Sequence, residues 1–307
     1  MKKTLFFLSI GIFFCLISCT QEDQTLTIAT YNVRLYNTGD SLKGNGWEQR
    51  VPIINDLILF HDFDIFGTQE GKINQLKDMK NGLPGYDYIG VGREDGKDGG
   101  EFSAIFYKTR KFELLNSGNF WLSEDTQQPN KGWDAECIRI CTWGEWKELQ
   151  SGFRFYFFNL HMDHIGVNAR KNSAQLILDT IKAMTGNQPV ILTGDFNIDQ
   201  NNESYLLINQ SKKLRDAYDL AKIRYATNGT FNGFNPHLKT ESRIDHIFLT
   251  KEFKVERYGI LTDSYRRPKH ASSNDLKMAT APQEISFGEY EARMPSDHFP
   301  VVIKVRY

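Results

Sequence analysis

The chain has 307 residues, 40 % of them hydrophobic and 13 % aromatic, which is enough apolar material for a sizeable core and well outside a disordered composition. Its 37 basic residues stand against 38 acidic ones, a formal net charge of −1. No overall positive field is available to hold a long polyanion, which argues against a dedicated high-affinity DNA binder and leaves room only for a local basic rim.

In chain order, Lys2 and Lys3 come first, followed by an apolar run through residues 5–17. A membrane-spanning helix needs ~20 residues, so the short run with its basic flank reads as a secretory signal over residues 1–18. It ends in Leu16-Ile17-Ser18-Cys19, which resembles the lipobox of bacterial lipoproteins. That resemblance implies cleavage before Cys19 and a diacylglycerol on its thiol. It also implies a short tether over residues 19–25 and a protein anchored to the outer membrane of the cell envelope. The alternative is an ordinary signal peptide with a chance cysteine.

Beyond the tether no linker, charge run or repeat divides the chain, which predicts one domain over residues 26–307. Strand-like runs occupy 26–32, 64–69, 102–107, 153–160, 190–193, 244–249 and 301–305. Helical spacing marks 47–60, 73–80 and 168–184, and in the last of these Ala174, Leu176, Ile177 and Ile181 recur at that spacing. Several strands follow one another with only a turn between them, which predicts an α/β layered fold with mixed sheets rather than a purely parallel one. Residues 136–141 alternate like a strand and carry Cys137 and Cys141. Extended residues four apart lie ~13 Å apart, beyond the ~7 Å Cα limit of a disulfide, so two unpaired, partly buried thiols are expected.

The apolar runs lead into polar residues. Asn32 stands in Ala29-Thr30-Tyr31-Asn32-Val33-Arg34 and Glu70 in Gly67-Thr68-Gln69-Glu70. His161 stands in Asn159-Leu160-His161-Met162-Asp163-His164, and Asp195 and Asn197 in Gly194-Asp195-Phe196-Asn197. Asp245 follows in Arg243-Ile244-Asp245-His246, then Asp297 and His298 in Pro295-Ser296-Asp297-His298-Phe299-Pro300. A site at strand ends is what layered α/β folds commonly offer. Hard oxygen donors dominate this set and no thiol has zinc-site spacing, which suits Mg²⁺ or Mn²⁺ and a phosphate substrate. There is no Gly-x-Ser-x-Gly elbow and no Gly-rich phosphate loop ending in Lys-Ser/Thr, so attack by water is favoured over a covalent nucleophile. Singly, each residue has a plain structural alternative: a turn-forming Asn, a Glu complementing a helix dipole, an Asp cap, a surface Asp-His pair.

The ordered set resembles the endonuclease/exonuclease/phosphatase superfamily, which includes AP endonucleases, neutral sphingomyelinases, inositol polyphosphate 5-phosphatases and deadenylases. The likeness runs from Leu26 to the C-terminus. It implies a four-layer α/β/β/α sandwich with two packed mixed sheets. Glu70 then resembles the principal metal ligand, supported by Asn32, with Asp297 as a second carboxylate on the metal side. Asp195 resembles the residue that orients or deprotonates the attacking water, and Asn197 the amide donor to the phosphoryl oxygens. His298 resembles the imidazole on the scissile phosphate, oriented by Asp245, and His161 takes a phosphate-contacting or leaving-group position. Arg34 stands where some relatives carry an acidic residue, which suggests an extra phosphate contact, and Arg139 resembles a segment of the sphingomyelinase-like and deadenylase-like branches. Asp163 is expected to support the site and His164 to lie outside it, because 161 and 163 share one face of an extended strand. The long stretch 262–294, with Arg266, Arg267, Lys269 and His270, reads as a lid or substrate-specific rim, its basic residues as a solvated loop.

These readings predict a metal-dependent hydrolase of phosphate esters, acting as a monomer. The substrate is expected to be small or membrane-associated, with a phosphodiester favoured. The competing readings are a non-catalytic binding lipoprotein on the same scaffold and a secreted nuclease. Loss of catalysis predicts gaps among the reactive residues, and Glu70, Asp195, Asn197, Asp245 and His298 are all present.

Overall fold

A computed structural model of the chain describes residues 24–269 and 280–307. The run read as a secretory signal, Cys19 and His270 lie outside the described residues. Among those described, no helix is long and apolar enough to cross a membrane.

The chain opens with β1 (Thr25–Asn32), α1 (Thr38–Leu42), α2 (Trp47–Phe60), β2 (Ile65–Gln69), α3 (Ile73–Gly82) and β3 (Tyr86–Ile89). It continues through β4 (Ile105–Lys108), β5 (Phe112–Trp121), β6 (Ile140–Glu148), β7 (Arg154–His161), α4 (Val167–Thr185) and β8 (Val190–Asp195). Next come α5 (Glu203–Asn209), β9 (Arg215–Asp216), α6 (Ala217–Leu220), β10 (Ile223–Tyr225), β11 (Asp245–Leu249) and β12 (Lys254–Ile260). A ribbon of β13 (Tyr265–Pro268) and β14 (Tyr290–Arg293) precedes the last strand, β15 (Val301–Arg306).

Two mixed sheets result. One has the order β10-β12-β15-β1-β2-β4-β3, the other β5-β6-β7-β8-β11-β9. Their facing sides share a core that includes Ile28, Ile65, Trp146, Phe157, Ile191, Ile247 and Ile303. The outer face of the first sheet takes the apolar side of α2 and α3, where Ile54, Ile58, Leu76 and Met79 meet Ala29, Phe66 and Phe106. The outer face of the second takes α4, whose Ala169, Ser173, Ile177 and Ile181 repeat every fourth residue on the buried side. The layers are therefore α/β/β/α, as the superfamily resemblance implied.

The space between the sheets turns polar toward one end. There Asn159 of β7 donates to the carbonyls of Thr68 and Ala104, and accepts from Gln69 Nε2 at 2.7 Å and Thr193 Oγ1 at 3.0 Å. This buried knot ties the two sheets together; with every amide atom of Asn159 paired, its polarity costs little.

Two expectations fail. Residues 136–139 are irregular, and the strand starts only at Ile140, because Asp163 captures the Cys137 N–H and leaves it no place in a ladder. Cys137, half-buried, and Cys141, buried, are nonetheless both free thiols. The basic residues at 266–269 are not simply a solvated loop: β13 pairs with β14, Arg267 donates to the Gly44 carbonyl and Arg293 to that of Lys43. The ribbon is thereby docked on the turn between α1 and α2.

Candidate active site

The sheet register assembles the site. Strands β1 and β2 run parallel with Asn32 opposite Gln69, so Asn32 and Glu70 emerge from neighbouring strand ends. In the second sheet Asp195 lies opposite His161 on β7 and opposite Asp245 on β11, which puts three functional side chains in a row across three strands. Strand β15 runs antiparallel to β1, so the residues just before it, Asp297 and His298, arrive at the same end. Asn32, Glu70, His161, Asp195, Asp245, Asp297 and His298 are all buried, none more than 9 % exposed.

Across the sheets, Asn32 Nδ2 donates to Glu70 Oε1 and to Asp195 Oδ2, each at 3.0 Å. The second Glu70 oxygen accepts from the Leu35 N–H at 3.0 Å. Arg34, Glu70 and Asn197 all carry positive φ, at 57°, 66° and 51°. Such backbone is uncommon outside glycine and gathers at functional sites, where it aims a side chain that regular structure would send elsewhere. Asn197 is held in this turn by its N–H donating to Asp195 Oδ1, and Arg34 by its N–H donating to Asn32 Oδ1.

The electrostatics separate the groups into roles. Burial, reinforced by the Asp245 carboxylate, pushes Asp195 up to about 7. Burial alone would lower His298, but the carboxylates of Asp245 and Asp195 outweigh it and hold the imidazole well above its ordinary value. The closest of these contacts is His298 Nδ1 to Asp245 Oδ2, at 2.9 Å. His161 goes the other way: burial, together with the nearby guanidinium groups of Arg139 and Arg93, keeps it neutral. Asn197 Nδ2 lies 3.1 Å from His161 Nε2, and an amide N–H only donates, so Nε2 is the acceptor and the ring proton sits on Nδ1.

Asp195, Asp245 and His298 are close enough to hold a metal, their ligand atoms lying within 4.8 Å of one another. A protonated imidazole has no lone pair to give, however, so the oxygen donors Glu70, Asn32 and Asp297, with Asp195 beside them, fit a hard dication better. Burial raises Asp297 even though the positive charges of His298, Arg34 and Arg50 oppose it. Arg34 faces both carboxylates, with Nη1 3.7 Å from Glu70 Oε2 and Nε 3.6 Å from Asp297 Oδ2. A guanidinium at that distance leaves carboxylate charge for a divalent ion to neutralise.

These groups floor a cleft of about 410 Å³, in the range of small-ligand sites, which Arg34, Arg93 and Arg139 also line. One sequence expectation fails here, that of His164 outside the site, while Asp163 supports the site from behind rather than from within the cleft. Asp163 is 1 % exposed and lies behind the wall: its oxygens accept from the Cys137, Ile165 and Gly166 N–H groups and from Arg139 Nε. His164 lines the cleft instead, 3.0 Å from Arg139 Nη2. The strand ends at His161, so the two-residue alternation behind the expectation stops before 163. None of the described residues of 262–294 lines the cleft.

Sequence reasoning passed over Arg93, Glu101, Cys137 and Phe231, which also line the cleft. Arg93 and Glu101 form a two-pronged ion pair at 2.7 and 2.9 Å across a turn where Gly92 packs too closely on Gly99 to admit a Cβ. The glycine-dense stretch 92–100, which holds Arg93 and runs into Glu101, was the available signal. Phe231 meets the His298 ring edge-on with centroids 5.1 Å apart, and its loop is pinned where the Asn232 and Gly233 N–H groups donate to the Asp297 carbonyl.

The sequence profile described as the Endonuclease/Exonuclease/phosphatase family matches residues 29–298. A crystal structure of an endonuclease/exonuclease/phosphatase family protein from Bacteroides thetaiotaomicron is 53 % identical, covers 92 % of this chain and 98 % of its own, and superposes with a TM-score of 0.85. A structure named mannosyl-6-phosphatase from the same organism is also 53 % identical, over 92 % of this chain and 100 % of its own, with a TM-score of 0.84. An uncharacterised protein of Acanthamoeba polyphaga mimivirus is 28 % identical over 227 residues, 69 % of this chain and 83 % of that protein.

Proposed function

This chain belongs to the endonuclease/exonuclease/phosphatase family, and on that premise we propose that it is a Mg²⁺- or Mn²⁺-dependent phosphatase that removes a terminal phosphate from a sugar. The observation that carries the reading is the cleft itself: a floor of buried carboxylates and imidazoles under a wall bearing Arg34, Arg93 and Arg139. Each guanidinium already pairs with a carboxylate, Arg34 with Asp40, Arg93 with Glu101 and Arg139 with Asp163, so the wall offers a phosphate oriented, charge-assisted N–H donors rather than three free charges. Sequence alone favoured a diester; the 53 % identity to a protein named mannosyl-6-phosphatase supports the monoester.

A metal held by Glu70, with Asn32 and Asp297 beside it, would polarise the phosphoryl group and neutralise developing charge. The protein groups do the rest. Asp195, pushed up to about 7, has the basicity to take a proton from an attacking water near neutral pH. His298, kept protonated, presents Nε2 3.7 Å from Asp195 Oδ2, where it can donate to a phosphoryl oxygen. Asn197 would add an amide donor by releasing either His161 Nε2 or the Met162 carbonyl, which its Nδ2 now serves, and a donor in the transition state is worth ~2.7–4 kcal/mol. Asp245 touches no substrate and acts by holding the His298 ring.

We further propose that the enzyme works in the cell envelope on a lipid anchor at Cys19, a reading supported by the Leu16-Ile17-Ser18-Cys19 sequence alone. The catalytic proposal is tested by comparing kcat/KM on mannose 6-phosphate, an inositol phosphate, a phospholipid head-group diester and plasmid DNA, each with Mg²⁺ and with chelator and at two salt concentrations. The sugar monoester is expected to lead and chelation to abolish turnover. Full activity in chelator, or a preference for DNA that falls steeply with salt, would sink the reading.

A further inference from the structure

In the cleft wall, apart from the oxygen donors of the floor, Cys137, Asp163 and His164 bring a sulfur, a carboxylate oxygen and an imidazole nitrogen within 4.8 Å of one another. Cys137 is a free, half-buried thiol, His164 is exposed, and both line the cleft. We propose that this group is a second metal site, which takes a borderline-soft dication such as Zn²⁺ in preference to Mg²⁺ and slows turnover when filled.

The frame is rigid where it needs to be. Asp163 accepts from the Cys137 N–H at 3.0 Å, Arg139 Nε at 3.3 Å, the Ile165 N–H at 2.9 Å and the Gly166 N–H at 2.7 Å. One buried carboxylate therefore fixes the backbone on both sides of the thiol and imidazole, and lends the site negative charge. Burial opposes that charge, but the backbone N–H groups of Gly166, Cys137, Glu136 and Ile165 hold its carboxyl well below the usual carboxylate range.

The donors have the right chemistry and nearly the right spacing. His164 Nδ1 lies 3.0 Å from Arg139 Nη2, and a guanidinium only donates, so Nδ1 is unprotonated and presents the lone pair a metal needs. Bonds of ~2.3 Å to sulfur and ~2.0–2.1 Å to nitrogen at a tetrahedral angle set the two ligand atoms ~3.6 Å apart. The sulfur and one nitrogen of the His164 ring start no more than 4.8 Å apart, and rotation of the exposed ring can bring Nδ1 into place. As the metal–sulfur bond forms, the Cys137 thiol gives its proton to water. Sulfur selects zinc-like ions, whereas the floor, with Glu70, Asn32 and Asp297, offers only oxygen.

Occupancy has a consequence for the cleft. A dication on His164 Nδ1 takes the lone pair that Arg139 now uses and repels the guanidinium beside it. Arg139 is 4 % exposed and lines the same wall, so a phosphate-binding cation is displaced without any change at the floor.

Co²⁺ serves as the probe. Titrated into the mature protein with Mg²⁺ in excess, it is expected to raise the intense near-ultraviolet charge-transfer band of a cobalt thiolate, saturating at a single equivalent and discharged by Zn²⁺. Cys137→Ser should abolish the band, His164→Ala should weaken binding by more than the ~10–100-fold that loss of an outer-shell partner brings, and Glu70→Gln should leave the band in place. A second readout needs no variant: Zn²⁺, and not Mg²⁺, should protect Cys137 from iodoacetamide, as mapped by mass spectrometry. No band in the wild type, a band surviving Cys137→Ser, a band lost in folded Glu70→Gln, or equal alkylation with and without Zn²⁺ overturns the site. Neither readout depends on which phosphate ester is cleaved, so the site and the proposed activity stand or fall separately.

Discussion

Replacing Asp163 by Asn tests whether one carboxylate behind the cleft holds its wall in place. The carboxylate oxygens serve four donors, with the Ile165 and Gly166 N–H groups on Oδ1 and the Cys137 N–H and Arg139 Nε on Oδ2. An amide keeps one oxygen, so its NH₂ must face one of these donor pairs. At least two donors lose their acceptor, and Arg139, whose side chain is 5 % exposed, loses its counter-charge. Each buried group left unsatisfied costs ~1–3 kcal/mol, and breaking a buried ion pair ~3–5 kcal/mol. These overlap, so a total of about 3–5 kcal/mol is expected, a large share of the ~5–15 kcal/mol that holds a typical domain folded. Urea unfolding at pH 7 measures it. The pH dependence has a definite sign. The folded carboxyl lies below its unfolded value, so its stabilisation is complete above the unfolded pKa and is lost as pH falls toward the folded one. With an unfolded value of ~3.9, the gap between wild type and Asp163→Asn should narrow by about 1 kcal/mol between pH 5 and pH 3. A loss below about 1 kcal/mol at pH 7, smaller than one unsatisfied buried donor costs, would refute the reasoning. So would a gap that does not change with pH.

Two further outcomes follow from the same geometry and from the proposed lipid anchor. His298→Ala should lower kcat by about 10²–10⁴-fold, and adding Asp245→Asn should cost little more, because Asp245 acts through the ring it holds at 2.9 Å. Additive losses in that cycle would show that Asp245 has a separate role. Cys19→Ala should move the protein from the membrane to the soluble fraction on detergent partition, and a variant that stays with the membrane counts against the lipid anchor.

Much of this protein is local and therefore legible. Residues 47–60 show helical periodicity and form α2 over that span, and the runs ending at Asn32 and Gln69 became β1 and β2 with those ends, because their apolar patterns are set by neighbours in sequence. The polar residues that follow such runs were legible as well, since a polar side chain after a buried strand is conspicuous. Strands β5 and β12 were missed for the converse reason. They carry exposed polar residues, such as Asn116 and Ser117 in β5, and are held by pairing to β6 and β15 rather than by a pattern of their own. His164 reached the cleft against expectation because face alternation holds only while a chain stays extended, and this one turns after His161. Arg93, Glu101 and Phe231 come from loops that are nowhere near the motifs in sequence and reach the cleft only when the sheets pack. Sequence by itself determined which side chains stand at the strand ends, since that depends on local apolar patterning. Only the tertiary structure decided which of them meet, because Asp195 touches His161, Asp245 and Asn32 through strand register and the stacking of two sheets, and both are set by contacts between residues far apart in the chain.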